Sequence, residues 1–112
     1  MGRTLIIAEA GVNHNGKLHI AKQLVDTAKE AGADVVKFQT FNPSTLTSRY
    51  AEMAEYQKEN IGEIKPQKDL LSELTLTNEE FVELHDYCVS KEIRFLSTPF
   101  DLESIAFLKE LN

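Results

Sequence analysis

The residues with the clearest chemical potential are four polar side chains near the ends of apolar, strand-like runs. They are Glu9, Lys37, Gln39 and Thr98. Alternate residues of a strand face opposite sides, so Lys37 and Gln39 share one face of their run while Phe38 takes the other. An ammonium group and a carboxylate inside a fold are costly unless they pair with each other or with a ligand. The set indicates a ligand site, and a Glu9–Lys37 pair that only fixes the strand register is the alternative.

Strands and helices are predicted to alternate along the chain and so to position these side chains. The runs at 4–11, 35–40 and 94–98 predict strands, and those at 17–31, 77–91 and from Asp101 onward predict helices. Strands that alternate with helices require a parallel sheet. The carboxyl ends of its strands meet at one edge, where α/β folds bind their ligands. We therefore expect an α/β fold with the four polar residues at that edge.

Local signals predict the ends and the buried faces of the helices. Gly32 suits the left-handed residue after the first helix, Thr77 and Glu80 form a capping box, and Asp101 can cap the last helix. The apolar positions expected on the second helix are Phe81, Leu84 and Cys88, and those on the last are Leu102, Ile105, Ala106 and Leu108. The long connection 41–76 is expected to be functional or to carry structure of its own.

Composition excludes several classes of function. The chain has 112 residues, 18 of them acidic and 12 basic, with a formal charge of −6. Nucleic acids and anionic membranes are bound by basic faces, so we expect neither as a partner. Cys88 is the single cysteine and allows no internal disulfide. No apolar run reaches the ~20 residues of a membrane span, and the N-terminus has no signal-peptide profile. We expect an acidic cytoplasmic domain.

The loop after the first strand offers a competing motif. Residues 11–17 match most of the phosphate-binding pattern G-x-x-x-x-G-K-[ST], but Leu18 lacks the hydroxyl that would bind Mg²⁺. Nucleotide hydrolysis is therefore disfavoured, although an anion at this helix N-terminus stays open. An alternative function is an open α/β module, without catalysis, that captures a small anion through Lys37 and the helix start at 15–17. His14 and His19 are too poorly spaced to share a metal.

Three motifs, taken together, resemble the sialic acid synthase family, which includes N-acetylneuraminate, legionaminic and pseudaminic acid synthases. They are IAEAGVNHNG at 7–16, VVKFQT at 35–40 and LSTPFD at 96–101. The resemblance implies the first three βα units of a (β/α)8 barrel. It also implies condensation of phosphoenolpyruvate with an N-acetylated hexosamine such as N-acetylmannosamine. The products are a nine-carbon 2-keto acid and phosphate.

The same resemblance assigns roles to individual residues. Glu9 is the candidate catalytic carboxylate near the reacting centre. The candidate substrate-binding residues are Lys37, Gln39, Thr98, Asn13, Phe100 and Asn60. Lys37 and Thr98 are expected to hold phosphoenolpyruvate and Gln39 to contact the sugar or the intermediate. Asn60 is the choice for a sugar-binding asparagine in the loop after the second strand.

The resemblance also implies features that this chain is not expected to supply. A divalent metal, Mn²⁺ or Mg²⁺, polarises the sugar aldehyde, and its histidine ligands lie on later strands. A C-terminal antifreeze-like domain reaches across a homodimer. We therefore expect residues 1–112 to be the N-terminal portion of a TIM-barrel synthase domain, inactive alone. Association of several copies to close a barrel is a further alternative.

Overall fold

A three-stranded parallel sheet with a helix after each strand forms the framework. The structure is a computed structural model that describes residues 3–44 and 72–111. The strands are β1 (Ile7–Gly11), β2 (Val35–Thr40) and β3 (Arg94–Pro99), and the helices are α1 (Leu18–Glu30), α2 (Asn78–Ser90) and α3 (Leu102–Leu111). The strand order is β1-β2-β3, and both pairings are parallel. The predicted order of strands and helices is confirmed. None of the described helices has the length and apolar character of a membrane span.

The first strand is shorter than predicted, because it begins at Ile7 and not at Thr4. Its partner strand begins only at Val35, which pairs with Ile7. Before that point Ile6 bonds to the turn residue Asp34, whose carboxylate accepts the Ile6 N–H at 2.9 Å. The Asp34 N–H in turn donates to the Ile6 carbonyl at 2.8 Å. A turn, and not a strand, therefore satisfies the backbone ahead of Ile7.

The two faces of β2 have opposite characters, as the alternation predicts. Val36 and Phe38 are 0% exposed and lie on the face that the helices cover. The expected α2 positions Phe81, Leu84 and Cys88 are all buried in the same core. Each large apolar side chain buried in this way contributes about 1.5–3 kcal/mol to stability. Burial also raises the pKa of the Cys88 thiol to about 12, so this residue packs as a protonated apolar group.

The N-terminus of α2 has the predicted capping box. The Thr77 hydroxyl accepts the Glu80 N–H at 3.1 Å, and the Glu80 carboxylate accepts the Thr77 N–H at 2.9 Å. These bonds satisfy two amides that have no partner inside the helix. The direction in which the chain enters α2 is fixed by them.

The buried face of α3 differs from the prediction. Leu108 is buried as expected, but Leu102 is 83% exposed and Ile105 is 49% exposed. Ala106 is exposed as well, whereas the small polar Ser104 is buried. Apolar residues occur on more than one side of this helix, so its own periodicity does not define one face. Contact with β3 and α2 selects the side that carries Ser104 and Leu108.

Asp101 joins two loops at the carboxyl edge of the sheet. One carboxylate oxygen accepts the Ser104 N–H at 2.8 Å, which is the predicted cap of α3. The other accepts the backbone N–H of Asn42, just after β2, at 2.6 Å. The Phe100 N–H donates to the Thr40 carbonyl at 3.1 Å and extends the strand ladder. This buried carboxylate thus ties the exit of β2 to the start of α3.

Replacement of Thr77 by alanine tests the capping box. Thr77→Ala removes the side-chain acceptor for the Glu80 amide, and we expect it to lower the free energy of unfolding by about 1 kcal/mol. Thr77→Ser keeps the hydroxyl and should stay close to the parent. Urea unfolding followed by circular dichroism measures both, and equal losses in the two variants would contradict the capping role.

Asp101→Asn keeps an acceptor for the Ser104 amide and removes the acceptor for the Asn42 amide. Asparagine caps helices as well as aspartate does, but its amide N–H₂ would face the Asn42 N–H and leave that donor unpaired. We expect a loss of about 1–3 kcal/mol in the free energy of unfolding. Glu103→Gln is the matched control, because this exposed carboxylate accepts from the Asn42 side chain and not from its backbone amide. An Asp101→Asn variant as stable as Glu103→Gln would contradict the clamp.

Candidate functional site

The centre of the candidate site is an ion pair on the sheet face opposite the core. Glu9 and Lys37 are register partners in β1 and β2, and Lys37 Nζ lies 3.0 Å from Glu9 Oε2. The Lys37 side chain is 35% exposed and that of Glu9 is 50% exposed. A pair this accessible contributes roughly 0–1 kcal/mol to stability. It is therefore too weak to set the register by itself, and both groups can be reached by a ligand.

Gln39 and Thr98 extend this polar surface toward the carboxyl ends of the strands. The two residues are register partners in β2 and β3, and both are partly exposed. Neighbouring parallel strands lie about 4.8 Å apart, so a hydroxyl and an amide stand side by side next to Lys37. The four residues form one surface, which we call the polar strip: Glu9, Lys37, Gln39 and Thr98. The predicted grouping of these four on one face is observed.

A β-bulge brings Gly11 against the polar strip. The pairing shifts between Glu9 and Gly11, and Gly11 lies opposite Phe38 with a left-handed φ of 56°. A Cβ at this position would stand 3.3 Å from Glu9 Oε1 and 3.7 Å from Gln39 Nε2. A side chain here would be strained and would crowd both groups. The glycine therefore leaves room above the carboxylate and the amide.

Two of the three remaining predicted residues, Asn13 and Phe100, lie in connections. Asn13 is exposed in the loop between β1 and α1. Phe100 is 38% exposed and directly follows β3. Both are at the carboxyl end of the strands, as expected for residues that line a site there. Asn60 lies outside the described residues.

The amides of the β1–α1 loop are occupied by bonds within the loop. The N–H groups of Asn13, Asn15 and Lys17 donate to backbone carbonyls at 3.0–3.1 Å, and the Gly16 N–H donates to His14 Nδ1 at 2.9 Å. A phosphate-binding loop needs such amides free to point at the anion. The alternative in which residues 15–17 capture an anion therefore loses its main donors.

His14 is a buried residue of the β1–α1 loop whose role was not predicted from the sequence. It is 0% exposed, and its ring centroid lies 6.0 Å from that of Phe38. Burial lowers the pKa of His14 from its usual 6.5, and the Glu80 carboxylate opposes this shift. The signal that could have found it is its position two residues before Gly16, within reach of that amide.

The other histidines do not join the polar strip. His19 is exposed on α1, and the His85 ring packs edge-on against Phe95 at 5.8 Å. Within residues 3–44 and 72–111, no three His, Cys, Asp or Glu side chains converge as metal ligands would. The described side chains at the site therefore do not by themselves fit a divalent cation. Only Glu9 offers a carboxylate there, and Lys37 already pairs with it.

Comparison with known proteins finds two relatives that share one name. N,N'-diacetyllegionaminic acid synthase of Legionella pneumophila is 53% identical over 106 residues, covering 95% of this chain and 30% of that protein. The enzyme of the same name from Campylobacter jejuni is 46% identical over 111 residues, covering 99% of this chain and 33% of that protein. The chain thus spans about a third of the length of these curated relatives.

A solved structure shows the same fold. The N-acetylneuraminic acid (sialic acid) synthetase of Leptospira borgpetersenii serovar Hardjo-bovis, determined in complex with citrate, superimposes with a TM-score of 0.73 at 33% identity. The match covers 99% of this chain and 35% of that one. The predicted fold class, three successive βα units of a (β/α)8 barrel, is confirmed. The NeuB family model matches residues 24–112. The chain belongs to the NeuB family.

Proposed function

We propose that this chain forms the phosphoenolpyruvate-binding part of a synthase that condenses phosphoenolpyruvate with an N-acetylated hexosamine. The products are a nine-carbon sialic-type 2-keto acid and phosphate. Family membership and the names of the relatives support the reaction type. The single observation that carries the assignment of residues is the accessible Lys37–Glu9 pair beside Gln39 and Thr98.

Lys37 is the group in the polar strip suited to hold the anionic substrate. Phosphoenolpyruvate carries a phosphate and a carboxylate, and an ammonium group forms charge-assisted hydrogen bonds to either. Thr98, one strand away and displaced toward the carboxyl end, adds a hydroxyl donor. In the proposed complex, the substrate anion takes the place of the Glu9 carboxylate as the partner of Lys37.

Glu9, released from Lys37, acts at the reacting carbons in the proposed reaction. The enol carbon of phosphoenolpyruvate attacks the open-chain aldehyde, a C–C bond forms, and the neighbouring carbon becomes cationic. Water adds to that carbon and phosphate leaves, so the overall reaction consumes one water. A carboxylate at this point can stabilise the cation or accept the proton from the water. Gln39, close to Gly11 and Glu9, supplies amide hydrogen bonds to the sugar or the intermediate.

Several finer features stay predictions. A divalent cation, Mn²⁺ or Mg²⁺, would supply Lewis-acid polarisation of the aldehyde, but the described residues do not make its ligand set. N-acetylmannosamine as the acceptor, a homodimer and a cytoplasmic location likewise remain predictions. The anion-binding module without catalysis is not favoured, because the loop amides that it needs are internally bonded.

A chimera tests the proposed reaction directly. Residues 1–112 replace the corresponding segment of the Legionella pneumophila synthase, to which the chain is 53% identical. We expect the chimera to release phosphate only when phosphoenolpyruvate and the relative's amino sugar are both present. The 112-residue chain assayed alone should show no turnover. Absence of turnover in a folded chimera, or turnover by the chain alone, would contradict the proposal.

Lys37→Met in the chimera tests the anion-binding role. Methionine keeps an unbranched side chain that is one atom shorter and removes the charge, and kcat/KM for phosphoenolpyruvate should fall on the order of 100-fold. Lys22→Met is a matched control, because Lys22 is also paired with a glutamate, Glu83 at 2.7 Å, and is 31% exposed. Its pair lies between α1 and α2, away from the polar strip, so activity should be retained. Equal losses in the two variants would contradict a specific role for Lys37.

A further inference from the structure

Burial of the His14 imidazole costs free energy, because one of its ring nitrogens has no hydrogen-bond partner among the described residues. Its side chain is 0% exposed and packs on Phe38, which is also 0% exposed. Its Nε2 atom is buried and has no hydrogen-bond partner among the described residues. A leucine would fill a similar volume without burying an unpaired donor. Among the described residues, the bond that the ring forms with the Gly16 amide is the contact that a leucine could not replace.

That bond fixes both the loop and the protonation state of the ring. The Gly16 N–H donates to His14 Nδ1 at 2.9 Å, so Nδ1 carries no proton. In the neutral ring the proton is then on Nε2. Gly16 has a left-handed φ of 73°, and a Cβ there would lie 2.4 Å from the Glu73 carbonyl oxygen. The imidazole thus holds a glycine that lies against the segment preceding α2.

The loop held in this way begins at the polar strip. Gly11 opens it with a left-handed φ of 56° and faces Glu9 Oε1 and Gln39 Nε2. The Asn13 N–H donates to the Ala10 carbonyl at 3.1 Å, so the turn follows the bulge without a break. The same loop thus connects Gly16, which His14 binds, to Gly11, which faces Glu9 and Gln39.

We infer that His14 is a positioning residue that acts through the Gly16 amide to hold the β1–α1 loop over the Glu9–Gln39 side of the site. The effect of this role on turnover rests on the proposed function, whereas the hydrogen bond itself does not. It concerns Glu9 and Gln39, the two side chains that Gly11 faces, and not Lys37 and Thr98, to which we assign phosphoenolpyruvate. Loss of the bond should therefore change turnover more than the binding of phosphoenolpyruvate.

The bond between His14 and Gly16 depends on the protonation state of the ring, because Nδ1 must stay unprotonated to accept the amide. Burial lowers the pKa of His14, and Glu80 of α2 is the carboxylate that opposes this. β2 contributes the apolar Phe38, the segment before α2 contributes the Glu73 backbone, and Lys17 and His19 at the start of α1 are exposed. Protonation of Nδ1 removes the acceptor for Gly16. Because the folded-state pKa is below 6.5, stability from this site is complete above that pH and declines as the pH falls below it.

Two substitutions separate the acceptor from the volume of the ring. His14→Leu keeps the volume and removes the acceptor. His14→Asn places a side-chain oxygen where it can accept the amide two residues on, as in an Asx-turn, and it does not titrate. His85→Leu is the matched control, because His85 also packs against a core aromatic ring, but its ring bonds to the side chain of the neighbouring Asp86 and not to a loop amide.

NMR of the 112-residue chain tests the bond without reference to activity. In the parent we expect the Nε2–H tautomer for His14 and a Gly16 amide protected from exchange. In His14→Leu we expect the signals of the Gly16 amide and of the Gln39 side-chain amide to change. His14→Asn should restore protection and should lose the parent's change in the Gly16 amide below pH 6.5, while His85→Leu should match the parent. An Nδ1–H tautomer, or a Gly16 amide left unprotected in a folded His14→Asn, would overturn the inference. If His14→Leu fails to fold, the tautomer of His14 in the parent and the protection of the Gly16 amide in His14→Asn still test the inference.

The chimera adds the catalytic readout. His14→Leu should lower kcat on the order of 10- to 100-fold, since small misplacements of reacting groups cost that much, with little change in the KM for phosphoenolpyruvate. His14→Asn should recover most of the loss. Recovery of the Gly16 signals without recovery of kcat would overturn the positioning role. An inactive parent chimera with the expected NMR behaviour would refute the proposed function and leave the His14–Gly16 bond established.

Discussion

The central position of β2 between β1 and β3 is the constraint on which both the core and the candidate site depend. Phe38 is completely buried against the helices, and Lys37 and Gln39 occupy the opposite face. A slip of one residue would bury the lysine and expose the phenylalanine. The apolar core therefore enforces the pairing that puts Glu9 beside Lys37 and Thr98 beside Gln39. The geometry of the site follows from hydrophobic burial on the other side of the sheet.

The polar residues of the chain divide into two physical groups. Those of the polar strip are partly exposed, and the Glu9–Lys37 pair adds little to stability. His14 and Asp101 are buried, and each accepts a hydrogen bond from a loop amide near the carboxyl edge of the sheet. Removing such an acceptor leaves a donor unpaired, which costs more than breaking an exposed pair. The strip is therefore free to bind and exchange partners, while the buried acceptors keep the surrounding loops in place.

Local rules predict the parts of this fold that depend on neighbours in the sequence. The alternation along β2 and the capping box at Thr77 and Glu80 are of this kind, and both are observed. The buried side of α3 is not predicted by local rules, because apolar residues lie on several sides of this helix. Packing against β3 and α2 selects the side with Ser104 and Leu108. The burial of His14 also depends on distant residues, since Phe38 and the segment at Glu73 enclose its loop. No pattern within the loop itself specifies those contacts.

The β1–α1 loop shows why a matching motif does not by itself make an anion site. Residues 11–17 have the spacing of a phosphate-binding loop, yet the Asn15, Gly16 and Lys17 amides donate within the loop. Lys37 is the cation on the polar strip that can meet the charge of an anionic substrate. In the proposed complex, an anion that takes the place of Glu9 on Lys37 releases the carboxylate in the same event. In the proposed reaction, Glu9 would therefore lose its contact with Lys37 only when phosphoenolpyruvate is bound. At that stage a positive charge develops on the substrate, and a free carboxylate can stabilise it.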